Sequence, residues 1–207
     1  MKYEWKKHDK YLYKTSLLPG IVDVPVQNFI MINGCGNPNN EDFSDKVSAL
    51  YSLAYAIKMI YKSEAEKTSA EIDDFSVYPL EGVWSLNGTS GYEKFVKDNL
   101  QYTIMIRQPD FISPEMVLSA IKYVEINKPN SLYKDIFFDK TDSGEFVEIL
   151  HIGSYDSESD SFAKMNDFIK ENGLTRITDY HREIYLNNAN RVGQDKLKTI
   201  LRYRIKR

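Results

Sequence analysis

The sequence predicts an α+β fold assembled from two copies of one βαββ unit, an antiparallel sheet with helices on one face. Three observations carry that expectation. Tyr78-Pro79-Leu80-Glu81-Gly82-Val83-Trp84 is echoed by Tyr180-His181-Arg182-Glu183-Ile184-Tyr185-Leu186 about a hundred residues later, an offset of one domain length. Strand-like and helix-like patterns follow in the order strand, helix, strand, strand in both halves. Strands within a half can pair as hairpins, leaving one sheet face for the helices. We expect an N-terminal extension over 1–20 and a single domain over 21–207, with halves at about 21–127 and about 132–207.

Residues 1–18 are charged and tyrosine-rich without periodicity, and Pro19-Gly20 marks a turn. Val26 to Asn33 reads as a strand ended by Gly34-Cys35-Gly36-Asn37-Pro38. Phe43, Val47, Leu50, Ala54, Ile57 and Tyr61 then recur at helical spacing, with a polar loop expected from Ser63 to Asp74. Phe75 to Leu86 is a strand carrying the first glutamate, and Asn87-Gly88 a turn. Tyr102 to Gln108 alternates as a strand, and Ser113-Pro114-Glu115 opens a helix with proline at its first position. In the second half, Phe146 to Ile152 is a strand ended by Gly153. Phe162, Met165, Phe168 and Ile169 mark a helix stopped by Asn172-Gly173. Thr178 to Leu186 and Thr199 to Ile205 are the closing strands. The alternation Leu201-Arg202-Tyr203-Arg204-Ile205-Lys206-Arg207 suggests a half-exposed edge.

Composition narrows the function. With 42% hydrophobic and 28% charged residues, the 207-residue chain is an ordinary globular protein. No apolar run approaches the ~18 residues that span a bilayer, so a cytosolic protein with no membrane partner is expected. A net charge of -3 argues against nucleic acid. The single Cys35 makes neither a disulfide nor a thiolate metal site, and His8, His151 and His181 lack ligand spacing, so neither metal nor cofactor is indicated. Gly34 to Pro38 lacks the Lys-Ser/Thr of a phosphate loop. Fifteen tyrosines against ten phenylalanines favour wet aromatic surfaces such as ligand grooves.

Strand alternation puts His181, Glu183 and Tyr185 on one face and Arg182, Ile184 and Leu186 on the other. If Ile184 and Leu186 pack under the helices, Glu183 and Tyr185 face a groove. The same counting places Glu81 opposite Leu80 and Trp84 in the first copy. A glutamate beside an aromatic ring can attract a cation, or act as a general base once desolvation raises its pKa. A plain alternative is a surface glutamate paired with Arg182 or Lys196.

Several segments together carry a resemblance: Phe29–Pro38 (FIMINGCGNP), Ala49–Lys58 (ALYSLAYAIK), Pro79–Trp84 (PLEGVW) and Thr103–Phe111 (TIMIRQPDF), then Ile149–Asp156 (ILHIGSYD), His181–Leu186 (HREIYL) and Lys196–Arg202 (KLKTILR). In that order the chain resembles the GyrI-like small-molecule-binding family in its stand-alone form. The resemblance implies paired βαββ modules around a ligand groove. It makes Glu183 the acid that meets cationic aromatic drugs in related effector domains. Some stand-alone members hydrolyse the cyclopropane of cyclopropanoid DNA-alkylating antibiotics of the yatakemycin and duocarmycin type. Carried over, Glu183 would activate or orient water, Tyr155 or Tyr185 would polarise the carbonyl, and Trp84, Tyr55 and Tyr102 would be stacking walls. Glu81 is included among the ligand-contacting residues as the mirror of Glu183, although parity favours a structural role. The chain departs from the family at Ser85, where a second tryptophan often stands. The competing readings are a non-catalytic multidrug binder that sequesters its ligand and a gyrase-interacting module.

Overall fold

A computed structural model describes residues 1–86 and 97–207; the turn expected at Asn87-Gly88 lies outside them. The chain opens with β1 (Lys2–Tyr3), α1 (Trp5–His8) and α2 (Lys10–Tyr13). The first half follows as β2 (Gly20–Val24), β3 (Gln27–Cys35), α3 (Glu41–Thr68), β4 (Asp74–Phe75), β5 (Leu80–Leu86), β6 (Leu100–Gln108) and α4 (Pro114–Asn127). The second is β7 (Phe137–Thr141), β8 (Gly144–Ile152), α5 (Glu158–Glu171), β9 (Thr175–Arg176), β10 (His181–Tyr185) and β11 (Lys198–Lys206). The repeated unit is therefore β3-α3-β5-β6 and β8-α5-β10-β11. Helix α3 runs through most of the expected loop, because Ala65 extends the buried Ile57–Tyr61 row by one more turn and the intervening Lys, Glu and Ala residues favour helix. It stops where Ser69 turns left-handed (φ 52°). Ser113 caps α4 by accepting from the Met116 amide.

The strands order as β2-β8-β11-β10-β5-β6-β3-β7, so the two glutamate strands, β5 and β10, form the central pair of a pseudo-twofold sheet. Strands β2 and β7, neither expected from the sequence, explain its shape. Each half's leading strand adds to the other half: β2 pairs with β8 and β7 with β3. One register runs through both ladders, with Gly20 opposite Glu148 and Val24 opposite Gly144, then Gln27 opposite Thr141 and Met31 opposite Phe137. Only Pro25 and Val26 separate β2 from β3, a span of at most about 11 Å. The sheet must therefore curl until its two ends approach each other. Strand β11, expected at an edge, lies between β8 and β10; its arginines do not mark an exposed rim, because Arg202 is buried against Glu148.

Cross-strand partners share a face, and the registers define two. One face carries Leu80, Gly82 and Trp84 with Tyr102, Ile104 and Ile106, and, across β10, His181, Glu183 and Tyr185. Helices α3 and α5 both lie on it: Phe43 packs on Trp84 and Tyr102, and Phe162 on His181 and Tyr203. Helix α4 packs outside α3. The other face carries Glu81, Arg182, Ile184 and Arg202, and the N-terminal segment covers it. Tyr13 donates to Glu81 (3.1 Å), Arg202 to the Leu12 carbonyl (2.6 Å), and Asp9 pairs with Arg107. Trp5, Leu12 and Tyr13 are core residues. Residues 5–13 are thus packed into the fold rather than appended to it, whereas Leu17 and Leu18 are exposed. The expected facing is also inverted, since Glu183, not Ile184, lies on the helix side. Among the described residues, no helix is long and apolar enough to cross a membrane.

Candidate functional site

Glu183 sits in the middle of β10, directly across from Gly82 on β5. A Cβ at Gly82 would fall 2.5 Å from the Trp84 indole nitrogen and 3.2 Å from the Tyr185 hydroxyl, so only glycine leaves room for those two groups. Trp84 Nε1 donates to the Tyr185 hydroxyl (2.9 Å), and the Tyr155 ring meets Tyr185 edge-on at 5.9 Å. Glu183 is 7% exposed. Its Oε1 lies 2.7 Å from His181 Nε2, and Phe162 of α5 holds that imidazole with ring centroids 4.8 Å apart. The plain surface-glutamate alternative, with Arg182 or Lys196 as partner, does not hold: Arg182 points to the other face and pairs with Glu81.

Burial and the Glu183 carboxyl push the Tyr185 hydroxyl well above the ordinary tyrosine range. Burial, then Glu183 and Glu158, raise Tyr155 to about 12. Both phenols are therefore hydrogen-bond donors at neutral pH. Glu158, in the first turn of α5, is pushed up to about 9 by burial, by Glu183 and by Asp156. The cluster combines two carboxyl groups, two protonated phenols and an imidazole against aromatic rings, a set suited to proton transfer and to holding an aromatic cation.

The structure brings Glu183, Tyr185, Tyr155 and Trp84 together. Tyr102 packs tilted behind Trp84 with centroids 5.1 Å apart, and both rings are buried under Phe43, so they back the site rather than front it. Tyr55 stands apart on the outer side of α3, 56% exposed beside Tyr51. Glu81 is a correction: it is fully buried on the opposite face, where Arg182 Nε donates to it at 2.7 Å, and it cannot meet a ligand that reaches Glu183. His181 shares the strand parity of Glu183, a sequence signal for a partner of that carboxyl rather than for a metal ligand. Glu158 is absent from the sequence expectations, and its signal is its place one turn back on the Phe162–Met165–Ile169 stripe. His151 is structural, bonded to Ser161 (3.0 Å) and the Ser154 carbonyl. A separate concavity of about 450 Å³, lined by Cys35, Val83, Ser85 and Thr103 among others, opens on the far side of the sheet from Glu183. Among the described residues no cluster of metal-ligating side chains occurs.

Comparison with known proteins agrees with this architecture. An uncharacterised conserved protein from Listeria innocua is 32% identical, with a TM-score of 0.89 over 99% of this chain and 100% of that one. Two structures described as hydrolases from the same organism are 31% and 30% identical, with TM-scores of 0.88 and 0.85. The former covers 100% of both chains, and the latter 99% of this chain and 100% of its own. The EcmrR C-terminal domain, at 12% identity and a TM-score of 0.52, shares the fold over 91% of this chain and 97% of that one. No curated protein matches in sequence. The GyrI-like small molecule binding domain matches residues 19–206, nearly the whole span of the duplicated sheet, and the chain belongs to that family.

Proposed function

We propose that the protein binds a planar aromatic or cationic small molecule against Glu183, Tyr185 and Tyr155, and hydrolyses the cyclopropane of cyclopropanoid DNA-alkylating agents there. The observation that carries this reading is one buried carboxyl set among phenols that stay protonated at neutral pH. The Listeria hydrolases of similar sequence support a hydrolytic rather than a purely sequestering role. The substrate class rests on the resemblance of the sequence segments.

The chemistry follows from the geometry. A phenol has one proton and two lone pairs. Trp84 occupies a lone pair of Tyr185, which leaves its proton to donate, toward the Glu183 carboxyl until a ligand carbonyl takes its place. Water, deprotonated by Glu183, forms a C–O bond to the strained ring carbon as the C–C bond breaks. The released electron pair runs through the conjugated system to the carbonyl oxygen, where Tyr185 or Tyr155 stabilises the growing negative charge. The proton taken by Glu183 ends on that oxygen, giving a phenol with one water added. His181 holds the Glu183 carboxyl in place.

Incubation with a duocarmycin-type cyclopropanoid should yield a product heavier by one water in the mass spectrum. Glu183→Gln should slow that reaction at least about a hundredfold while leaving the fold intact. Hydrolysis at the wild-type rate in the variant would remove Glu183 from the mechanism. Tight binding by the wild type with no product at any time would leave the sequestering reading in its place.

A further inference from the structure

We infer that Glu158 is the second carboxyl of the Glu183 site and the group that stores its exchangeable proton, surrendering it when an aromatic cation binds. This rests on the reading of Glu183 as the ligand-facing acid. Glu158 is 6% exposed, and its Oε1 is buried without a hydrogen-bond partner among the described residues. An orphaned oxygen of that kind is costly, and far more so when ionised.

Its position follows from α5. Glu158 lies four residues before Phe162, so the two share one helix face, and Phe162 rests on the imidazole bonded to Glu183. The single turn Tyr155–Ser157 leads into Glu158 and places the Tyr155 ring against Tyr185. The titratable groups around Glu158 are Glu183 and Tyr185 from β10 and Tyr155 and Asp156 from that turn; His181 lies beyond Glu183, and His151 of β8 bonds Ser161 one turn along. Asp156 is itself paired with Lys97. A helix N-terminus ordinarily favours an ionised glutamate. Here burial and the adjacent acids outweigh it, because two carboxyls in one site do not both ionise cheaply.

An aromatic cation reverses that balance. Its charge stabilises both carboxylates, so the proton on Glu158 leaves for solvent as the ligand enters. A neutral cyclopropanoid carries no such charge, so in hydrolysis Glu158 would keep its proton while the one that Glu183 takes from water goes to the carbonyl oxygen.

Calorimetric titration with ethidium at pH 7, in two buffers of different ionisation enthalpy, counts the protons released. The wild type should release at least half a proton per ethidium, and Glu158→Gln, an isostere of the protonated acid, should bind within about threefold of wild type and release none. Glu183-dependent binding that releases no proton, or a release unchanged in Glu158→Gln, overturns the inference. Ethidium binding that ignores Glu183→Gln fails the underlying reading instead. A second measurement does not depend on the ligand: the infrared difference between free wild type and Glu158→Gln at pH 7 should show one protonated carboxyl. If that band is missing, Glu158 stores no proton whatever ethidium does.

Discussion

Glu81 and Glu183 occupy matching places in two copies of one unit and sit on adjacent strands, yet their surroundings are opposite. Glu183 faces Gly82 across the β5–β10 ladder, whereas Glu81 faces Ile184. That one-residue offset turns the two side chains to opposite faces. Glu81 points into the curl of the sheet, where Arg182 and Tyr13 satisfy it and Arg182 goes on to Gln27. Glu183 points to the helix side and has one imidazole, with a second acid nearby. A carboxylate met by a guanidinium and a phenol inside a curled sheet has nothing left to offer a ligand. One met by a half-buried histidine does. The duplication supplied two acids, and the register decided which of them holds the fold and which is free for chemistry.

The contrast can be broken most sharply at the inner acid. Glu81→Gln leaves the Arg182 charge buried without its partner, and should cost about 3–5 kcal/mol of stability in a denaturant titration. Glu183→Gln should cost less than about 1 kcal/mol, since no guanidinium depends on it. Equal losses in the two variants would erase the distinction. A smaller effect is expected across the ladder. Gly82→Ala forces the Trp84 ring away from its place, at about 1–3 kcal/mol, and should weaken ligand binding by separating Trp84 from Tyr185. A variant with unchanged binding would show that this contact is dispensable. The last effect is not a step but a slope spread over pH. The folded state raises the Glu158 pKa from 4.5 to about 9, so between those values the folded protein holds more protons than the unfolded chain. Stability relative to Glu158→Gln must then fall as pH rises through that window, by up to ~1.4 kcal/mol per pH unit. Parallel curves for the two proteins would place Glu158 in a solvated setting instead.

Much of this contrast was legible in the sequence. The alternation of β10 identified His181, Glu183 and Tyr185 as one face, the helical stripes located α3 and α5, and the Ser113-Pro114-Glu115 start located α4. Counting within a strand does not, however, say which face a helix covers, nor how two strands are offset. Trp84 was therefore separated from Glu183, although the ladder sets both on the helix side. Strands β2 and β7 are short and half-exposed, and owe their existence to partners more than a hundred residues away. Proline and glycine at 19 and 20 looked like a turn, whereas Gly20 begins a strand. The N-terminal segment showed no period because it fills the curl with separate anchors, Trp5, Leu12 and Tyr13, rather than with one stripe.

The crossing of β2 and β7 between the halves has a consequence for how the protein comes to exist at all. It is the arrangement that two identical subunits would reach by swapping their leading strands about a twofold axis, here fused into one polypeptide. Neither unit carries its own complement of strands, so neither has a native state to reach alone, and the two are expected to melt as a single cooperative block. Closure joins Gly20 to Glu148, a contact of high sequence separation. Folding is then paced by that late, long-range encounter, and until it is made the chain carries two open strand edges ready to pair with a neighbour.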